Sequence, residues 1–211
     1  ITAEQLHEFK LQYPDAAVVC YVNSSAEVKA ESDICCTSSN AIKVVNAVSE
    51  KRVIFVPDRN LGRYVSGFTD KEMIIWRGLC PTHVRLTYDD VRKARQAHPR
   101  AVFVAHPECN PDVLAAADYV CSTGKMLAYA RETSVRELII GTEMGMLFRL
   151  KKENPDKIFY IASPRMICQN MKKIRLDGIM ESLEQMRFAI RVPEPTRQKA
   201  YRTIKRMLDI S

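Results

Sequence analysis

Short runs of consecutive apolar residues alternate along the chain with stretches whose apolar positions recur every three or four residues. The runs AAVVCYV (16–22), DICC (33–36), RVIFV (52–56) and EMIIW (72–76) lack polar alternation, which predicts strands buried on both faces. The runs AVFVAH (101–106), DYVC (118–121), ELIIG (137–141) and KIFYIA (157–162) read the same way. Between them lie helical stretches. TAEQLHEFKLQYP and TYDDVRKARQAHP open with Thr2 and Thr87 as N-caps and place acidic residues in the first turn. Strands that alternate with helices predict parallel sheets joined by right-handed crossovers.

The pattern occurs twice. At a constant offset of 85, residues 16–41 fall on 101–126 and residues 52–62 on 137–147. Thr2 meets Thr87, Pro14 meets Pro99, Asp33 meets Asp118 and Cys36 meets Cys121. MIIWRGLCPTH resembles IASPRMICQNM at an offset of 88, which sets Cys80 over Cys168. Self-similarity over so many elements in one order marks a duplication. The expected fold is α/β: tandem pseudo-symmetric three-layer αβα domains with small parallel sheets, one over residues 1–82 and one over 83–170. A C-terminal helical segment, 171–211, follows and is expected to pack on a domain outside this sequence. The counterpart of Cys80 in front of the first copy falls ahead of Ile1, so the chain reads as truncated in front, with a third cysteine expected upstream.

Composition narrows the function. A hydrophobic content of 46% with 27% charged residues suits a globular domain, which excludes a disordered chain. No apolar run approaches the length of a bilayer span, and no targeting segment is evident, so no membrane partner and a cytoplasmic location are expected. The 32 Lys+Arg against 25 Asp+Glu are spread along the chain without a basic, aromatic-interleaved stripe. That balance suits small anionic substrates and argues against nucleic acid. Seven cysteines without a C-x-x-C exclude a zinc ribbon or a thioredoxin-type pair. For Cys20, Cys35, Cys36, Cys109 and Cys121 packing is the simplest role.

Ligands of open parallel sheets bind at the carboxyl ends of the strands. The first strand end presents Tyr21 and Asn23 in one copy but His106 and Glu108 in the other, as two halves of one asymmetric site would. His106 and Glu108 are candidates for acid/base work, against the alternative of a solvated turn. The second strand end carries Ser38, and Ser122 with Thr123, at helix N-termini; these hydroxyls suit an anion cradle or plain N-capping. Cys80 and Cys168 sit at equivalent fourth strand ends, where symmetry-related thiolates can converge on a metal or an iron–sulfur cluster, against the alternative of a duplicated core cysteine.

The motifs CYVNSSAEVKA, DICCTSSNA, FVPDRNLGRYV, GLCPTH, AHPEC, ADYVCSTGKM, GTEMGM and CQNMKK run in order along the chain and resemble the quinolinate synthase family of NAD biosynthesis. The resemblance implies three αβα domains around a 4Fe-4S cluster held by one cysteine from each. It also implies condensation of iminoaspartate with dihydroxyacetone phosphate and a functional link to L-aspartate oxidase. By the same resemblance Cys80 and Cys168 are two of three cluster ligands. Tyr21 and Asn23 are substrate contacts, Ser38, Ser122 and Thr123 anion-holding hydroxyls, and His106 with Glu108 an acid/base pair, Tyr21 counting among the catalytic groups. A chain with two of the three cysteines is expected to hold a cluster poorly, and the competing reading is a catalytically incomplete anion-binding fragment.

Overall fold

The computed structural model describes residues 1–210. The first repeat runs α1 (Ala3–Leu11), β1 (Ala16–Tyr21), α2 (Ala26–Ala30), β2 (Ile34–Cys36), α3 (Ala41–Ala47), β3 (Arg52–Val56), α4 (Arg59–Ser66) and β4 (Glu72–Ile75). The second runs α5 (Tyr88–Ala97), β5 (Val102–Ala105), α6 (Pro111–Ala115), β6 (Tyr119–Val120), α7 (Thr123–Glu132), β7 (Glu137–Gly141), α8 (Met146–Glu153) and β8 (Ile158–Ile161). Each forms a four-stranded parallel sheet, ordered β2-β1-β3-β4 and β6-β5-β7-β8. Both sheets are therefore α/β layers with helices on either face, as the unbroken apolar runs predict.

The duplication extends to single bonds. Thr2 and Thr87 each close a capping box, with Gln5 and Asp90 as the returning side chains. Asp33 accepts the backbone N–H of Val18, and Asp118 that of Phe103, both at 2.7 Å. Each aspartate ties the edge strand's entry to the central strand beside it, which explains why these two polar residues recur at the offset of 85. Val19, Phe55 and Ile34 are buried in one core, and Phe103 and Ile139 in the other.

Two elements follow the second repeat: α9 (Leu176–Gln185) and α10 (Glu194–Ile210). The terminal helix α10 corrects the expectation that the whole C-terminal segment packs outside the two repeats. It lies on α2, β2 and α3 of the first repeat, burying Ala200, Thr203 and Met207. Thr203 Oγ1 lies 3.3 Å from Cys35 Sγ, and Arg206 donates to the Asp33 carbonyl at 2.7 Å. The basic face of α10 is thus solvated while its apolar stripe completes the first core.

Helix α9 behaves differently. It begins 88 residues after α5, which itself begins 85 residues after α1. The equivalent inward positions are Leu6, Val91 and Ile179. Leu6 and Val91 are buried on their own sheets, whereas Ile179 is 45% exposed. Leu176, Met180 and Leu183 extend the same stripe, all exposed. Leu86 is fully buried, but its counterpart Ile174 is 72% exposed. The segment has the pattern of a repeat's opening helix, with no sheet among the described residues beneath it.

Candidate active site

In the order 2-1-3-4 the chain reverses direction of winding between the first and third strands, and ligands bind outside the carboxyl ends at that point. The two sheets present these ends to each other. Ser38, just after β2, lies 3.2 Å by its hydroxyl from Nε2 of His106, just after β5. Asn60 in α4 donates to the Glu108 carbonyl at 3.1 Å. Asn110 holds the crossing segment by donating to the carbonyls of Val84 and Leu86.

The centre is a cluster of side chains from both repeats. Glu108 Oε2 lies 3.3 Å from Nδ1 of His106 and 3.3 Å from Nδ1 of His83. The two imidazoles stack at 4.6 Å between centroids. His83 Nδ1 is also 3.2 Å from Cys80 Sγ, and its Nε2 is 3.0 Å from the hydroxyl of Thr142, the residue after β7. His106, Glu108 and His83 are all buried, so His-Pro-Glu is not a solvated turn. His83 is the member that sequence reasoning missed. It stands three residues beyond Cys80, where the second copy has Met171, and that His/Met asymmetry was the available signal.

Burial governs the charge state. It pushes the Glu108 carboxyl up to about 8, helped by the nearby Asp58 carboxylate. Burial lowers His83 to about 4, with Glu143 opposing, and holds His106 well below its ordinary value, with His83 adding. At neutral pH these are neutral hydrogen-bonded groups, not ion pairs. The Glu108 backbone N–H donates to His106 Nδ1 at 3.3 Å. His106 therefore carries its proton on Nε2, directed to Ser38. The Tyr21 phenol is raised by burial and then by Glu108, with the Ser38 hydroxyl opposing, which places it against the same cluster.

The third strand ends position the cysteines. Asp58, after β3, accepts the Leu61 N–H at 2.7 Å as the N-cap of α4 and the Cys80 N–H at 2.8 Å. Its counterpart Glu143, after β7, accepts the Gly145 N–H at 2.7 Å and the Cys168 N–H at 3.4 Å. Gly78 allows this approach on the first side, since a Cβ there would stand 2.3 Å from the Pro57 carbonyl oxygen. Each cysteine then enters a single 3-10 turn, His83–Arg85 or Met171–Lys173. Cys80 and Cys168 are half-buried, while the other five cysteines are buried. The Cys168 thiol is lowered chiefly by the Met171 backbone N–H, and Thr82, two residues beyond Cys80, also faces it. Burial raises Cys80.

The remaining predicted residues follow strand ends, Asn23 after β1 and Ser122 with Thr123 after β6. Asn23 is exposed beyond β1. Ser122 is buried and caps α7 by accepting the Lys125 N–H at 3.4 Å, whereas Thr123 is exposed. In the first repeat Thr37 Oγ1 bonds Ser39 and Asn40. A groove of about 730 Å³ runs past these hydroxyls, lined by Thr37, Ser39, Lys43, Lys125 and Met207.

Comparison with known proteins identifies the family. The family profile described as "Quinolinate synthetase A protein" matches residues 1–209. The chain is 55% identical over 210 residues to a quinolinate synthase of Geotalea uraniireducens, covering 100% of this chain and 69% of that protein. It is 54% identical to a quinolinate synthase of Alkaliphilus metalliredigens, covering 100% of this chain and 70% of the relative. A "Quinolinate synthase 2" of Methanosarcina acetivorans is 48% identical, over 100% of this chain and 68% of its own length. The chain belongs to the quinolinate synthase A family. No helix among the described residues is long and apolar enough to cross a membrane.

Proposed function

We propose that the protein condenses iminoaspartate with dihydroxyacetone phosphate, a transferase reaction that loses two waters and phosphate to give quinolinate for NAD biosynthesis. Cys80 and Cys168 would hold a 4Fe-4S cluster with a third thiolate from outside this sequence. Their fit rests on exposure and position: they alone among the seven cysteines are not buried, and matched carboxylates present them at equivalent strand ends. When bound, the cluster supplies an open iron acting as a Lewis acid.

The chain's own residues do the rest. Ser38 holds the imidazole of His106 and, with Ser122, Thr123 and Asn23, lines the path for carboxylate and phosphate oxygens. Lys43 and Lys125 give the adjoining groove its positive charge. Tyr21 orients the substrate over Glu108. The single observation that carries the reading is the Glu108 carboxyl, buried between two neutral imidazoles and held near 8. A carboxylic acid poised near the working pH can give a proton in one step and take one in another. Iminoaspartate implies L-aspartate oxidase as the enzyme that supplies it, and seven unpaired cysteines suit a reducing cytoplasm.

Helix α9 supports a third αβα repeat as the missing wall. Its exposed stripe occupies the register of α1 and α5. In the Geotalea relative, 210 matched residues at 69% coverage leave roughly ninety residues over, close to one repeat. The 211-residue chain alone would then bind anions without turnover. The test is quinolinate formation by the complete protein. Glu108→Gln should lower turnover by about two to four orders of magnitude with substrate binding retained. Wild-type turnover in that variant refutes the assignment.

A further inference from the structure

Asn60 sits in the first turn of α4, in the first repeat, yet its side chain bonds to the second. Its Nδ2 donates to the Glu108 carbonyl at 3.1 Å and to Asn110 Oδ1 at 3.4 Å. Asn110 in turn donates to the carbonyls of Val84 and Leu86, within and just after the 3-10 turn that carries His83. We propose that Asn60 is a positioning residue: with Asn110 it fixes the main chain of Glu108 and the His83 turn against each other, so that the Glu108 carboxyl meets both imidazoles. The proposal deepens the acid/base reading of Glu108 and rests on it.

The orientation of each amide is determined. Asn110 spends its Nδ2 protons on two carbonyls, so its Oδ1 is the atom that faces Asn60. Asn60 therefore faces two acceptors, and only its Nδ2 can serve them. This leaves Asn60 Oδ1 buried and without a partner among the described residues, on a residue only 2% exposed. A buried acceptor left unpaired costs free energy, so stability alone would not select an amide here. The duplication leads to the same conclusion. At the offset of 85 Asn60 falls on Gly145 and Asn110 on Ser25. Gly145 precedes α8 with no side chain at all. Ser25 caps α2 by accepting the Val28 N–H, whereas Asn110, at the same N-cap of α6, makes no such bond. The αβα scaffold needs neither amide, and both are spent on the seam where the repeats meet.

The experiment measures initial rates of quinolinate formation by the complete protein, with Asn60→Ala made in two backgrounds, wild type and Glu108→Gln. Circular dichroism and iron content check that every variant is folded and loaded. In the wild-type background Asn60→Ala should lower kcat by about 10–100-fold, the scale of a misplacement of about 1 Å, with KM within about twofold. In the Glu108→Gln background the same change should cost less than about threefold, because the group it positions has already lost its proton chemistry. Asn110→Ser, the exchange that the first repeat shows to be compatible with this N-cap, should give the same pattern and serves where Asn60→Ala does not fold. An equal loss of kcat in both backgrounds, an unchanged kcat, or an effect confined to KM overturns the proposal. Wild-type turnover in Glu108→Gln alone instead refutes the acid/base reading itself, and this proposal with it.

Discussion

Replacing Glu108 by Gln separates the cost of burying this carboxyl from its chemistry. The protonated acid and the amide are nearly the same shape. Either can donate one hydrogen bond toward an imidazole nitrogen standing 3.3 Å from Oε2. At low pH the exchange should therefore be almost silent for folding. Above it the two proteins part. A folded pKa of about 8 against an ordinary value of 4.5 means that the unfolded chain releases the Glu108 proton first as pH rises. For an acid shifted upward, stability is fully present below the unfolded pKa and is lost between the two values. The wild type should lose about 1.4 kcal/mol per pH unit relative to the variant across that window, roughly 3–5 kcal/mol in all. His83 and His106, depressed by burial, act in the opposite sense: the stability of their neutral forms is lost as pH falls below the ordinary histidine range. Their effect cancels in the comparison, because both proteins carry them. Urea unfolding at pH 5.5, 7 and 8.5 with a chelator present measures the difference. A gap that widens with pH in favour of Glu108→Gln supports the buried neutral acid; a gap flat across the series refutes it.

Asp58→Ala removes both the cap of α4 and the acceptor for the Cys80 N–H. It should cost about 2–4 kcal/mol in urea unfolding; a loss under 1 kcal/mol would mean that the loop presents Cys80 without it. Ser122→Ala with Thr123→Val should cost about 0.5–2 kcal/mol of stability from the α7 cap alone. In the complete protein the pair should also weaken quinolinate binding by a further ~1.5–3 kcal/mol in calorimetry, and unchanged product affinity returns both residues to capping. Ile179→Glu with Leu183→Glu should leave this chain's unfolding within about 0.5 kcal/mol of wild type. The same pair should lower the melting temperature of the complete protein by several degrees, since each side chain then gives up roughly 1.5–3 kcal/mol of burial; equal melting temperatures would contradict a sheet beneath α9.

The strands β1, β2, β3, β5 and β7 were legible because they are buried on both faces, so their apolar runs needed no interpretation of periodicity; the edge strands β4, β6 and β8 depart from that expectation, being only partly buried where the sheet ends. The repeat carried the rest of the architecture. An offset of 85 identifies Asp33 with Asp118 and Asp58 with Glu143, and in each pair the structure assigns both members the same backbone bond. The position of α10 was not legible. Its stripe of Ala200, Thr203 and Met207 specifies an apolar partner but not which one. His83 escaped because its importance comes from tertiary placement: a loop histidine becomes a buried one only when β7 brings Thr142 against it. Ser122 could be read as cap or cradle from sequence, and local geometry supplies the cap.

Cys80 and Cys168, as two anchors of one cluster, are the central assignment. Iron and acid-labile sulfide analysis of the complete protein, made anaerobically, tests it directly. Wild type should carry about four irons and four sulfides per chain. Cys80→Ala and Cys168→Ala should each lose the cluster and its brown absorbance, while Cys35→Ala and Cys36→Ala, altered in the buried strand β2, should keep full content. Full iron and sulfide in either Cys80→Ala or Cys168→Ala would contradict the assignment.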